Sequence, residues 1–475
     1  MVFSSIVFLL FFLPVVLALL ALLKHRFHNV VLLAVSLLFY IWGEGSYVLL
    51  MLWSIAFNYS AGLLVERLKS RLLMGAVVAV NLLPLLYFKY AVFLLGQVAP
   101  ALGFASAPAL LGPIHLPIGI SFCTFHGLSY VIDVFRRSAP VQRNPVRMGL
   151  YIALFPQLVA GPIIRYNEIA DQLAVRQTTL AGFGQGVERF VYGLAKKTMV
   201  ANPMGAVADA VFALPQQDFA TAWVGTLAYT IQIYFDFSAY SDMAIGLGRM
   251  LGFGFPENFN YPYIAASIQE FWRRWHLSLS HWFRDYLYLP LGGNRHGALA
   301  TYRNLLIVFV LCGMWHGANW TFLIWGLWHG AFLVIERLVG DARMQRVWRP
   351  LRHAYALLVV MVGWVFFRAD DLRAAGGHLA AMAGLHGFGS LRPLGGVLDG
   401  LALLALALGL LVVAPVHPWV MARLERLRVV AHDGRLNPWQ ALVDVGRSYS
   451  LVVILCWCVA QLASGTYNPF IYFRF

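Results

Sequence analysis

The chain has 475 residues, of which 60% are hydrophobic and only 12% charged, whereas soluble domains carry about 25% charged residues. No soluble core hides that much apolar surface, so these numbers exclude a soluble globular protein and predict an all-α polytopic membrane protein. The net charge of +14 could suit a nucleic-acid partner, but the placement of the cations, given below, points to membrane orientation instead.

Apolar stretches close to the roughly 20 residues that cross a bilayer begin at once, running from Met1 to Leu23, Val30 to Trp42, Tyr47 to Leu64 and Leu72 to Leu95. With the amino end outside, the expected cytoplasmic loops hold Lys24 and Arg26, then Arg67, Lys69 and Arg71, then Arg136, Arg137, Arg143 and Arg147. The intervening loops, around Glu44 and from Gly96 to His115, contain no Lys or Arg, which is the positive-inside pattern. Met1-Val2-Phe3-Ser4-Ser5 lacks the basic region of a cleavable signal peptide, so the first segment is expected to be retained.

The pattern changes after residue 115. From Pro117 to Glu336, polar and ionisable residues, Gly and Pro recur at membrane depth, as in Phe155-Pro156-Gln157 and Ala160-Gly161-Pro162. Such groups are tolerated where protein covers them or water fills a cavity, so the functional core is expected there. Beyond Val339 conventional apolar segments return, at Val397 to Val413 and Leu451 to Ala463. The prediction is one domain over 1–475, with peripheral spans at 1–115, a core at 116–338, and carboxyl-terminal spans with an aromatic tail at 339–475. About ten to twelve membrane segments are expected, some re-entrant or interfacial. Cys123, Cys312, Cys456 and Cys458 sit in apolar runs without ligand spacing, so neither a metal site nor a disulfide framework is predicted.

Four constellations offer chemistry. In Tyr234-Phe235-Asp236-Phe237-Ser238-Ala239-Tyr240-Ser241-Asp242, helical spacing puts Asp236 beside Tyr240 and Ser238 beside Asp242. These groups either form a structural polar network or serve function, orienting a histidine or lining a substrate tunnel. In Phe271-Trp272-Arg273-Arg274-Trp275-His276 and the residues after it, a continuous helix would align Trp272, His276, Leu279 and Phe283. It would also pair Glu270 with Arg274 and His281 with Asp285.

The third is Met314-Trp315-His316-Gly317-Ala318-Asn319, where apolar surroundings disfavour a charged imidazole and keep it in the form a general base requires. A histidine bonded to a neighbouring helix fits the spacing equally well. His329, in a second Trp-His-Gly thirteen positions on, would lie nearly opposite on a continuous helix and reads as structural. The fourth is the tail Asn468-Pro469-Phe470-Ile471-Tyr472-Phe473-Arg474-Phe475, either an interface anchor or a segment folded back into a cavity.

Taken together with Leu116-Pro117-Ile118-Gly119-Ile120-Ser121-Phe122, these motifs resemble the membrane-bound O-acyltransferase family. The likeness is to its bacterial polysaccharide O-acetylation branch, related to the teichoic acid D-alanylation proteins, and covers nearly the whole chain. The resemblance implies a helical bundle around a central tunnel in the bacterial inner membrane. It makes His316 the principal catalytic histidine and His276 its partner, supported by Asp236, Tyr240, Asp242, Trp272, Arg273, Arg274, Trp275, Trp315 and Asn319. Tyr472 becomes a candidate acyl relay by analogy.

No tightly bound cofactor is implied. The donor would be acetyl-CoA or another acetyl thioester on the cytoplasmic side. The partners would be membrane lipids and a periplasmic SGNH-type acetyltransferase or other polysaccharide-acetylation subunits, acting on alginate, cellulose or a similar exopolysaccharide. Broken helices with intramembrane Asp and His also fit a transporter or channel, and a scaffold for a periplasmic partner is a third reading. The chain shows no internal symmetry of the kind transporters often have.

Overall fold

A computed structural model describes residues 2–104, 114–426, 438–465 and 467–471; among them every regular element is helical and there is no strand. Six helical stretches are long and apolar enough to cross a membrane: His25–Leu68, Arg71–Val98, Gly297–His316, Trp320–Val339, Arg349–Arg368 and Leu442–Ala463. Phe8–Leu22 and Gly400–Val412 are shorter and equally apolar. The 44-residue stretch His25–Leu68 is two helices, His28–Glu44 and Val48–Leu68, which turn at Gly45 where φ is 56°. These are the two early spans expected from sequence, and the chain is an all-α, multi-pass membrane protein.

The centre of the molecule is the helix Phe219–Met250, 32 residues long, or about 48 Å at ~1.5 Å per residue. It is too polar for a lipid-facing span, and it is buried without interruption from Ala228 to Gly248. Its cover is close because small residues line the contact with Leu180–Ala195. A Cβ on Gly246 would lie 2.6 Å from the Gly186 carbonyl, and one on Gly193 would lie 2.7 Å from that of Ala239. Backbones that approach so closely exclude lipid from the polar side chains between them. Most of the buried apolar core is one cluster that includes residues from Phe3 to Ile471, and a second, smaller one joins Ala222, Val365, Ala369, Ala375, Ala381 and Met382.

Two expectations of continuous helix fail. Gly297–His316 and Trp320–Val339 are separate helices that fold back as a hairpin, with Gly317, Ala318 and Asn319 as its tip. They meet at Gly313 and Gly326, where an added Cβ would come within 2.3 Å of the Phe322 and Phe309 carbonyl oxygens. Asn319 starts the second helix by accepting from the Thr321 N–H at 3.3 Å. The second break separates Ile268–Trp272 from Leu277–Phe283, with His276 between them in the left-handed region at φ 45°. Trp272, His276, Leu279 and Phe283 therefore do not share one helix face.

Candidate active site

His316 is the last residue of its helix, so the carbonyls of its final turn have no partner within the helix. They are satisfied from the amino-terminal spans. Pro84 interrupts the helix Arg71–Leu85, which passes into a π-helical turn, Leu86–Tyr90, that carries Lys89 inward. The Lys89 ammonium, 9% exposed, donates to the carbonyl of Trp315 and, at 3.2 Å, to that of His316. Tyr90 donates its hydroxyl to the Met314 carbonyl at 2.9 Å. A cation at a helix carboxyl end also meets the negative pole of the helix dipole. Lys89 lies in a stretch read from sequence as smoothly apolar, and it was missed for that reason.

The imidazole of His316 is boxed by the edges and faces of Trp315, Trp325 and Phe367, with ring centroids at 4.9, 5.1 and 5.1 Å. Its Nδ1 is buried with no hydrogen-bond partner among the described residues. The same holds for the indole N–H of Trp325. Both side chains line a small cavity of about 10 Å³, whose walls include Phe237, Trp275 and Ile471.

His276 approaches from the other side of Trp315, 6.2 Å between centroids, with Phe237 edge-on at 4.6 Å. Its ring is tied down: Nδ1 lies 3.1 Å from Asn258 Oδ1. That oxygen also accepts from the Ser278 N–H at 3.2 Å and from the Ser278 hydroxyl at 2.9 Å. An atom that accepts from a main-chain N–H is the amide oxygen, so His276 Nδ1 is the donor and a neutral ring has its acceptor at Nε2.

The remaining sequence candidates divide into three groups. Trp275 and Trp315 border the two histidines, while Trp272 stands between Trp325, at 5.7 Å, and His329, at 5.1 Å. Because the hairpin turns between them, His316 and His329 flank the same Trp325 ring, at 5.1 and 5.2 Å, and are not on opposite faces of one helix. Arg274 pairs with Glu270 at 3.0 Å as expected, and Asn319 ties the hairpin tip to the Asp370 carbonyl at 2.8 Å.

The two carboxylates find long-range partners in place of their helical neighbours. Asp242 binds Arg189 at 2.8 Å and Lys196 at 2.6 Å, whereas Asp236 pairs with Lys197 at 2.7 Å. Tyr240 is stacked between Phe3 and Phe470, at 4.5 and 4.7 Å. Tyr472 lies outside the described residues. Among those described, no group of three His, Cys, Asp or Glu side chains could hold a metal ion.

A second, larger cavity, of about 260 Å³, is walled by Trp272, Phe309 and Cys312 and rimmed by the exposed Arg273, Arg284 and Arg337. Cys312 is one helical turn before His316, and Trp272 also faces Trp325, which lines the smaller cavity. The rim lies on the face of the expected cytoplasmic arginines, since Arg136 donates to the Asp285 carbonyl at 2.9 Å. Asp285 pairs with Arg284 at 2.7 Å and with Arg165, not with His281. Burial alone would raise its pKa, but the Arg284 and Arg165 guanidiniums hold it below the usual carboxylate value. Burial lowers the pKa of His281, with Arg284 and Arg165 adding to the effect.

The profile of the MBOAT, membrane-bound O-acyltransferase family, matches residues 123–370, a segment that contains both histidines. A protein of Azotobacter vinelandii named "probable alginate O-acetylase AlgI" is 43% identical over 100% of both chains. The peptidoglycan O-acetyltransferase of Helicobacter pylori is 36% identical over 75% of this chain and 74% of its own. The teichoic acid D-alanyltransferase of Bacillus subtilis is 27% identical over 72% and 84%.

Proposed function

Since the chain belongs to the membrane-bound O-acyltransferase family and is an O-acyltransferase, we propose that it passes acetyl groups from a cytoplasmic thioester through the inner membrane for O-acetylation of an exopolysaccharide. Alginate is the first substrate to test, because the full-length relative at 43% identity carries that name. The observation that carries the reading is the buried Nδ1 of His316, which has no partner among the described residues and is set in an aromatic cavity beside His276.

His316 acts as general base. It takes the proton of an acceptor hydroxyl as that oxygen bonds to the acetyl carbonyl carbon; the carbon–sulfur bond then breaks, and the imidazolium returns the proton to the leaving thiolate. His276, fixed with Nδ1 as donor to Asn258, offers Nε2 as an acceptor that holds the incoming hydroxyl. Stabilising the oxyanion from that nitrogen would require a charged ring. The indole N–H of Trp325, buried and unpartnered in the cavity wall, is the donor assigned to the developing oxyanion.

The donor is acetyl-CoA or another acetyl thioester, and the larger cavity suits it. Arg273, Arg284 and Arg337 at the rim would meet phosphates, and the apolar wall would take the thioester arm. The acyl group continues to a periplasmic SGNH-type acetyltransferase or similar subunit. Tyr472, next in sequence to the cavity residue Ile471, is the proposed relay.

The test is complementation. A strain lacking the gene, supplied with His316→Ala, is expected to accumulate the protein normally in its inner membrane while making unacetylated polymer. Acetylation at the wild-type level in that strain would overturn the assignment.

A further inference from the structure

The buried ion pair between Lys197 and Asp236 is the most enclosed charged contact among the described residues, its side chains 3% and 1% exposed. A pair that served only to join two helices could be replaced by apolar side chains without loss. This one does something else. Lys197 also donates to the Pro469 carbonyl, and Asp236 accepts from the Ile471 N–H at 2.9 Å. The two charges therefore grip main-chain groups two residues apart on the carboxyl-terminal segment.

The grip is reinforced on both sides. Asn468 donates to the Ser4 carbonyl at 2.8 Å and accepts from Asn202 at 3.2 Å. Phe470 stacks on Tyr240 at 4.7 Å. The next residue, Ile471, is a wall of the His316 cavity. Lys197 itself sits in a π-helical turn, Lys196–Ala201, an irregularity that recurs at functional sites. There, adjacent lysines diverge, Lys196 to Asp242 and Lys197 to Asp236.

We propose that Lys197 and Asp236 are positioning residues for acyl transfer: together they clamp residues 469–471 against the reaction chamber, so that this segment completes the chamber and sets the geometry in which an acyl group meets His316. The inference rests on the assignment of the His316 cavity as the acyl-transfer centre. It does not depend on whether Tyr472 is itself acylated.

Lys197→Met with Asp236→Leu removes both charges together and leaves neither unpaired. The double variant is expected to accumulate in the membrane and to lose at least about tenfold in kcat for acetyl transfer. Its KM for the thioester should stay unchanged, because the arginine-rimmed cavity is untouched. In a Cys456→Ser background, which removes the exposed native thiol, a disulfide between Ser4→Cys and Asn468→Cys spans a 3.5 Å contact and tethers the segment independently of the clamp. Oxidation should restore most of the kcat of the double variant, and reduction should abolish the gain.

Ile471→Pro guards against a double variant that fails to accumulate, since it removes the N–H that Asp236 accepts, together with the cavity-wall side chain, and leaves the ion pair in place. It is expected to show the same fall in kcat. Full activity in Ile471→Pro, full activity in the double variant, or a disulfide that forms without restoring activity would each overturn the clamp. His316→Ala is measured in parallel. If it retains wild-type activity, the acyl-transfer centre is misassigned; if it is inactive while the clamp variants are fully active, only the clamp fails.

Discussion

The two helix breaks that carry the histidines hold them by opposite means. At the first, the chain turns through a left-handed residue and the imidazole of His276 is fixed by its own ring nitrogen, donated to an asparagine that also caps the following helix. At the second, the main chain is fixed: Lys89 and Tyr90 take the last three carbonyls of the helix, while the imidazole has a buried nitrogen with no partner among the described residues. A ring committed to the protein suits orientation. A ring anchored only through its backbone, with a nitrogen left over, suits proton transfer to a substrate.

The largest expected effect separates the two rings directly. His316→Ala should lower the acetyl-transfer rate by about 10² to 10⁴, the usual range for a general base, and His276→Ala should lower it less; the reverse order in a liposome assay would exchange their roles. Trp325→Phe keeps the aromatic wall and removes its N–H, and should lower kcat by about 10² to 10³ if that N–H serves the oxyanion. A change in KM alone would make Trp325 a packing residue.

Lys89→Met tests the main-chain anchor. Two buried carbonyls lose their donor, which costs about 1–3 kcal/mol each, so thermal unfolding in detergent should shift down and activity fall with it. An unchanged melting temperature would show that the hairpin end needs no cap. Asn258→Ala releases the His276 ring, and loss of one net hydrogen bond of about 0.5–1.5 kcal/mol corresponds to a rate decrease of about 2- to 13-fold.

The smallest effect is on stability. Asp285 has a depressed folded pKa, so its contribution is present above the unfolded value of about 3.9 and is lost as pH falls through the folded one. Asp285→Asn should therefore lower the melting temperature at neutral pH and flatten the acid limb of the stability profile, so that the two proteins converge as pH falls.

Much of this was legible in the sequence, and the exceptions have physical causes. The early spans were readable because their apolar runs are long and unmixed, and His316 stood out because Trp-His-Gly interrupts such a run. The breaks at His276 and at Gly317 were not readable from helical periodicity, which assumes that the chain continues. Their determinants are Asn258, 18 residues before His276, and Lys89, 227 residues before His316.

Asp236 and Asp242 show the same limit. Four-residue spacing offers Tyr240 and Ser238 as partners, but inside a membrane a carboxylate is better served by a cation from another helix, and Lys197, Lys196 and Arg189 supply it. A lone lysine in an apolar segment, two turns of helix before its end and just after a proline, was the one available signal for Lys89.

The sandwich of Phe3, Tyr240 and Phe470 has a consequence for biogenesis. The segments it joins are 464 residues apart along the chain, as the Ser4–Asn468 contact records. During synthesis the early residues wait in the bilayer until the late ones are inserted, and contacts of such separation form slowly. The wall that Ile471 gives the His316 cavity is therefore the last to be added, after every long span has been synthesised.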